Sequence, residues 1–124
     1  MKLLDTSVWI EYFKGSESGL IIKKIIEENE VYTSAITIAE ISKWFSENGK
    51  DNGTALKQLK NNSITLYPNE EILVESGKKY TGLRKINKKI GMIDVIIYIS
   101  SQLYNLELIT KDLDFKNLPN VKII

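Results

Sequence analysis

Apolar positions along the chain follow two periods. Short runs at Leu3-Leu4, Val31-Tyr32-Thr33, Ile64-Thr65-Leu66-Tyr67, Leu108-Ile109-Thr110 and Val121 to Ile124 read as strands, and the stretches between them repeat at helical spacing. Ser7 to Lys14 places Val8, Trp9, Tyr12 and Phe13 on one face before Gly15-Ser16 stops it. Glu17 to Glu28 follows, with Leu20, Ile21 and Ile25, joined by Ile22 and Ile26, inward. Thr37 to Ser46 repeats Ile38, Ile41, Trp44 and Phe45 and ends at Glu47-Asn48-Gly49, where Gly49 suits a C-cap. Asp51 to Lys60 predicts a weak helix. Asn69-Glu70-Glu71 opens a longer one reaching Ile86, weakened by Gly77 and Gly82. Asp94 to Tyr104 carries β-branched residues, but the run is long for a strand and predicts a helix buried nearly all round.

Strands alternating with helical stretches predict an α/β fold, a parallel sheet with helices on both faces. Pro68 ends one strand and Pro119 precedes the last. No linker, repeat or low-complexity segment interrupts residues 1–124, and 124 residues fit one domain.

Composition narrows the chemistry. The chain is 43% hydrophobic and 27% charged, an ordinary globular balance. The N-terminal apolar run is too short for a signal peptide and is broken by Asp5. No run nears the roughly 18–20 apolar residues of a membrane span. There is no cysteine, which fits a cytoplasmic chain and removes thiolate chemistry, and no histidine, which removes imidazole as base or ligand. Hydrolysis here has to run on carboxylates, lysines, hydroxyls or a metal. With a net charge of +1, attraction to nucleic acid depends on local clustering.

The acids stand at telling places. Asp5 ends the first strand, Glu40 lies one turn into the helix after the second, Asp94 starts the apolar helix, and Asp112 and Asp114 follow Leu108-Ile109-Thr110. Each has a plain alternative. Asp5 fits an N-cap, Thr37-Ile38-Ala39-Glu40 has capping-box spacing, Asp94 complements a helix dipole, and Asp112 fits a cap on the turn after it. Yet in a parallel sheet the carboxyl ends of the strands share one rim. Carboxylates gathered there repel by several kcal/mol at intermediate dielectric unless a cation neutralises them, about 4 kcal/mol for a close pair. An all-oxygen set suits Mg²⁺ or Mn²⁺ rather than Zn²⁺.

Taken in order, Leu3-Leu4-Asp5-Thr6-Ser7, Ile38-Ala39-Glu40-Ile41, Ile93-Asp94 heading an apolar helix, and Leu108 to Phe115 (Leu-Ile-Thr-Lys-Asp-Leu-Asp-Phe) resemble PIN-domain ribonucleases, and in length and layout the VapC-type toxins. The resemblance spans the chain. It implies a three-layer α/β/α fold with a five-stranded parallel sheet and an Mg²⁺- or Mn²⁺-dependent endoribonuclease, the toxin of a type II toxin–antitoxin system. It also implies an RNA substrate, a cognate antitoxin and a homodimer. Asp5, Glu40, Asp94 and Asp112 match the family's acidic positions and Asp114 a less regular fifth, while Ser7 and Thr110 sit where hydroxyls order the carboxylates. Trp9, Tyr12, Trp44 and Phe45 are candidate antitoxin contacts, with core packing as the alternative.

The expected chemistry is attack of an activated water on an RNA phosphate, with the metal stabilising phosphoryl charge. Asp5 and Asp94 are expected to carry the main metal contacts, Asp112 to help directly or through water, and Glu40 to orient or activate the nucleophile. No acid interrupts Ser76 to Ile93. Lys78, Lys79, Arg84, Lys85, Lys88 and Lys89 there form either a phosphate-attracting patch, with Lys85, Lys88 and Lys89 at its centre, or a solvated helix face. Tyr80 is a candidate for base stacking or plain packing. Other readings are a PIN nuclease of RNA processing, a DNA-directed structure-specific nuclease, or an inactive PIN module that binds RNA or protein. A receiver-like domain needs an aspartate at the end of the strand Ile64 to Tyr67, which has none. A haloacid-dehalogenase-like phosphatase needs one at position 7, which is Ser.

Overall fold

The computed structural model describes residues 1–124. Strands β1 (Lys2–Leu4), β2 (Val31–Ser34), β3 (Ile64–Leu66), β4 (Glu107–Thr110) and β5 (Val121–Ile123) form one sheet in the order β3-β2-β1-β4-β5. All four pairings are parallel. Helices α1 (Thr6–Lys14), α2 (Glu17–Glu28), α3 (Ala35–Glu47), α4 (Asn52–Asn62), α5 (Glu70–Ile86) and α6 (Met92–Leu103), with a 3₁₀ turn at Leu113–Phe115, connect the strands.

The two-residue period of the strands splits the core in two. Leu3 and Leu108 point to the face covered by α5 and α6, where they pack with Ile72, Val95, Ile97 and Phe115. Their neighbours Leu4 and Ile109 point to the other face, among Val8, Trp9, Ile22, Ile41 and Phe45 from α1, α2 and α3. Both central strands are therefore apolar on both sides, which is why they read as continuous apolar runs. Each fully buried Leu or Ile contributes about 1.5–3 kcal/mol relative to exposure.

Several expectations shift. Helix α3 starts at Ala35, two residues before Thr37, because the Ser34 hydroxyl caps it by accepting the Ile36 N–H at 3.3 Å. The Thr37–Glu40 capping box is thus not formed. In α2, Leu20 and Ile21 are 70% and 56% exposed while Ile22 is buried, so the inward stripe is Ile22, Ile25 and Ile26. Its rotation is set by Gly19, where a Cβ would lie 2.9 Å from the Glu11 carbonyl oxygen and force α2 away from α1. Helix α4 is firmer than its sequence suggests: the Asp51 carboxylate accepts the Gly53 N–H and the Thr54 hydroxyl, and Ala55 and Leu59 are buried. Helix α6 is buried from Val95 to Ser101 except at Ile96 and exposed at Met92, Ile93 and Leu103. No helix is long and apolar enough to cross a membrane.

From β1 the chain moves outward to β2 and β3, then returns across the sheet to β4 on the opposite side of β1. The carboxyl ends of β1 and β4 therefore flank a topological switch point, the place where open parallel sheets leave a crevice for ligands.

Candidate active site

Asp5 lies at that point. Its N–H donates to the Ile109 carbonyl of β4, and its own carbonyl starts α1 by accepting from Val8 and Trp9. Its side chain makes no cap bond despite standing at the N-cap position. Instead one oxygen, Oδ2, accepts from the Ser7 and Thr110 hydroxyls, each at 2.8 Å. Those hydroxyls are themselves aimed by backbone donors: Lys111 N–H to Ser7 Oγ and Asp112 N–H to Thr110 Oγ1, both at 3.0 Å. Asp5 is 4% exposed. Burial pushes its carboxyl above the usual range, the two hydroxyls and the Thr6 N–H oppose that shift, and the charge of Glu40 adds to it.

Asp94, Asp112 and Asp114 form a second group beside it. One carboxylate oxygen from each lies within 4.8 Å of the others, and all three residues are partly exposed. Each of the first two is fixed by a cap. Asp94, in the first turn of α6, accepts the Gly91 N–H on Oδ2 at 3.0 Å, and Asp112 accepts the Asp114 N–H on Oδ1 at 2.9 Å. The capping reading of these two acids therefore holds, and each cap occupies one oxygen and leaves the other free of that bond. Burial raises the Asp94 carboxyl, the Gly91 N–H opposes this, and the charges of Asp112, Asp5 and Asp114 raise it further.

Glu40 sits on the other side of Asp5. It accepts the Thr6 hydroxyl on Oε1 at 2.6 Å, and Thr6 Oγ1 lies 3.0 Å from Thr37 Oγ1 in the buried seam between α1 and α3. The structure thus brings Asp94, Asp112 and Asp114 together. It sets Asp5 behind them on a hydroxyl network with Ser7 and Thr110, and it links Glu40 to Asp5 through charge. The role of Thr6 was not foreseen; a hydroxyl directly beside the strand-end acid was the available signal.

Of the basic residues, Lys85, Lys88 and Lys89 are exposed and make no ion pair, whereas Lys78 lies 3.6 Å from Glu75. Arg84 is engaged: its Nη1 donates to the Tyr80 hydroxyl at 3.0 Å and the Ile90 carbonyl at 3.1 Å. That pairing also covers the Tyr80 ring, with the guanidinium carbon 5.5 Å from its centroid, so Tyr80 is not a free stacking platform. Trp9 is fully buried and cannot meet a partner directly, and Phe45 is nearly so; Tyr12 and Trp44 keep partial exposure. The largest cleft, about 580 Å³ between the α1–α2 corner and α4, lies away from the acids. Glu40 and Thr6 line a smaller cleft of about 210 Å³ with Ile10, Lys43, Trp44 and Glu47, while Asp94, Asp112 and Asp114 are partly exposed beside buried Asp5.

A donor set of three partly exposed carboxylates, with oxygens this close and no cationic side chain bonded to them, fits a hard divalent cation. Comparison with known families gives this arrangement its context. The PIN domain pattern matches residues 2–121. The chain belongs to the PIN domain family. A curated relative, Ribonuclease VapC1 of Haemophilus influenzae, is 27% identical over 125 residues, covering 97% of this PIN domain and 93% of the relative. Among solved structures, a toxin–antitoxin complex from Klebsiella pneumoniae aligns with TM-score 0.76 and 25% identity, over 98% of this chain and 96% of that one. VapBC2 from Rickettsia felis, bound to a DNA fragment from its promoter, aligns with TM-score 0.78 and 20% identity, over 99% and 96%. The second likeness speaks to the fold alone. The family membership and the five-stranded parallel α/β sheet agree with what the sequence led us to expect.

Proposed function

We propose that this PIN domain, working as one unit over residues 1–124, is a metal-dependent endoribonuclease and the toxin of a toxin–antitoxin pair. The observation that carries the reading is the group of Asp94, Asp112 and Asp114 beside buried Asp5, in a chain with neither histidine nor cysteine. The name and near-full coverage of the Haemophilus relative support RNA as substrate.

Asp94, Asp112 and Asp114 would hold Mg²⁺ or Mn²⁺, with Asp5 directing charge at the same point from behind. When bound, such a cation supplies Lewis-acid stabilisation of the phosphoryl charge. The chain's own residues supply the rest. Thr6 fixes Glu40 through Oε1, which leaves Oε2 to orient the attacking water or take its proton. Ser7 and Thr110 hold the Asp5 carboxylate in one orientation against its burial. Lys85, Lys88 and Lys89, unpaired and exposed, attract the phosphate backbone towards the rim. The cleft lined by Tyr12, Phe13, Phe45, Lys14, Lys23 and Lys50 has an apolar floor and a basic edge. It suits an amphipathic acidic segment of an antitoxin, a partner supported by the Klebsiella complex. Exposed Leu73, Val74, Leu103 and Tyr104 on the α5–α6 face support a homodimer.

The test is cleavage of RNA by the purified protein with Mg²⁺ or Mn²⁺ and with chelator. Cation-dependent cleavage lost in Asp94→Asn supports the reading. Absence of cleavage under every cation condition removes the nuclease and favours a binding module.

A further inference from the structure

The five-residue connection between α5 and α6, residues 87–91, touches both arms of the acid group. On one side the peptide joining Ile90 to Gly91 has its two ends engaged. Its carbonyl accepts from Arg84 Nη1 at 3.1 Å, and its N–H donates to Asp94 Oδ2 at 3.0 Å. A cation on the carbonyl of a peptide polarises that peptide and makes its N–H a stronger donor. The positive charge of Arg84 thus reaches the Asp94 carboxylate through one amide, without forming an ion pair that would neutralise it.

Arg84 is also held by Tyr80. Tyr80, one helical turn earlier on α5, receives a second Nη1 bond at 3.0 Å and presents its ring to the guanidinium. No carboxylate lies within ion-pair distance of Arg84. The connection is also anchored inward by Ile90, which is 0% exposed, and closed by the Ile90 N–H donating to the Asn87 carbonyl at 3.2 Å.

Asn87 makes the second tie. Its Nδ2 donates at 2.7 Å to the carbonyl of Lys116, the residue that closes the 3₁₀ turn Leu113–Phe115 containing Asp114. The same turn begins with the cap from Asp112 to the Asp114 N–H. One short connection therefore contains the peptide that holds Asp94 and bonds to the turn that Asp112 caps and that carries Asp114.

We propose that Arg84 and Asn87 are positioning residues of the metal site, which set the orientation of Asp94 and its spacing from Asp112 and Asp114 by bracing the α5–α6 connection. The brace rests on the metal-dependent nuclease reading for its purpose but not for its geometry. Neither residue touches substrate or metal. Both bonds leave one nitrogen, Nη1, while the planar guanidinium faces the Tyr80 ring; lysine keeps the charge but loses that planar face and its fixed donor direction.

The test uses the full chain as Arg84→Met, Arg84→Lys and Asn87→Ala, with two readouts. The first is hydrogen exchange of the Gly91 amide in chelator, which needs neither metal nor activity. It should speed up by roughly tenfold in Arg84→Met and recover partly in Arg84→Lys, while the amides of β1 and β4 stay as in wild type. The second is Mn²⁺ affinity by calorimetry. It should weaken by about 10-fold or more in Arg84→Met and Asn87→Ala, the range seen when a partner behind a metal ligand is removed. Gly91 exchange equal to wild type in Arg84→Met overturns the brace, as does Mn²⁺ affinity unchanged in both variants while wild type binds. If wild-type protein binds no cation, the nuclease reading fails, and the Gly91 exchange rate alone then decides whether the brace stands.

Discussion

Asp5 and Asp94 are neighbouring acids held in opposite ways. Asp5 is buried and held by side-chain hydroxyls, one of them from Thr110, 105 residues along the chain. Asp94 is half-buried and held by a backbone N–H three residues before it. A hydroxyl pair can be lost one member at a time and leaves a buried charge underserved. A backbone cap survives any substitution that keeps an acceptor oxygen. The deep acid is thus a matter of tertiary packing, and the rim acid a matter of local helix chemistry, although the two lie close enough for the charge of Asp5 to raise Asp94.

The largest expected effect erases the difference. Asp5→Asn and Asp94→Asn should each lower RNA cleavage by more than about 100-fold, since even the partners behind metal ligands cost about 10–100-fold when lost. Wild-type turnover in either variant breaks the assignment of that acid. Thr110→Val comes next and separates the two. It removes one donor from Asp5 and should cost about 1–3 kcal/mol in denaturant unfolding, the penalty for an underserved buried group. A matching change on the rim, Asp112→Asn, keeps an acceptor for the Asp114 N–H and removes a charge that repels Asp94, so it should cost no stability at pH 7 in chelator. Equal losses in the two would mean that Asp5 does not depend on its hydroxyls.

The third prediction concerns pH. The Asp94 carboxyl is raised in the folded state by burial and by Asp112, Asp5 and Asp114. The folded chain therefore binds a proton more readily than the unfolded chain, whose aspartates titrate near about 3.9. Stability from this group is greatest below that value and falls as pH rises through the window up to the raised folded value. Asp94→Asn removes the penalty. In chelator at pH 7 it should melt a few degrees higher than wild type, and the gain should vanish as pH falls to about 4. A variant that melts lower than wild type at pH 7 would mean the acids do not repel. The smallest effect lies outside the acids: Lys85, Lys88 and Lys89 changed together to Ala should weaken RNA binding about uniformly across sequences and flatten its salt dependence.

What the sequence disclosed follows the same division. The strand-end position of Asp5, the parallel α/β order and the acids of α6 and the Asp112 turn were legible, because strand period and cap spacing are local. The starting residue of α3 was not. Thr37 and Glu40 have capping-box spacing, but Ser34 caps the helix by accepting the Ile36 N–H, which leaves Thr37 inside it and against Thr6. The inward face of α2 was misjudged because the close approach at Gly19 sets its rotation, and a pattern of five apolar residues within seven does not. Arg84 looked like one more cation of a basic run. Its engagement with Ile90 depends on a turn whose shape is fixed by burial of that residue.

The measurement closest to the central claim is a Mn²⁺ titration of the purified protein by calorimetry, run in parallel on Asp94→Asn. The account predicts saturable binding to wild type that weakens by at least about tenfold in the variant. Equal binding in both proteins, or none in wild type, would contradict a cation site built from Asp94, Asp112 and Asp114.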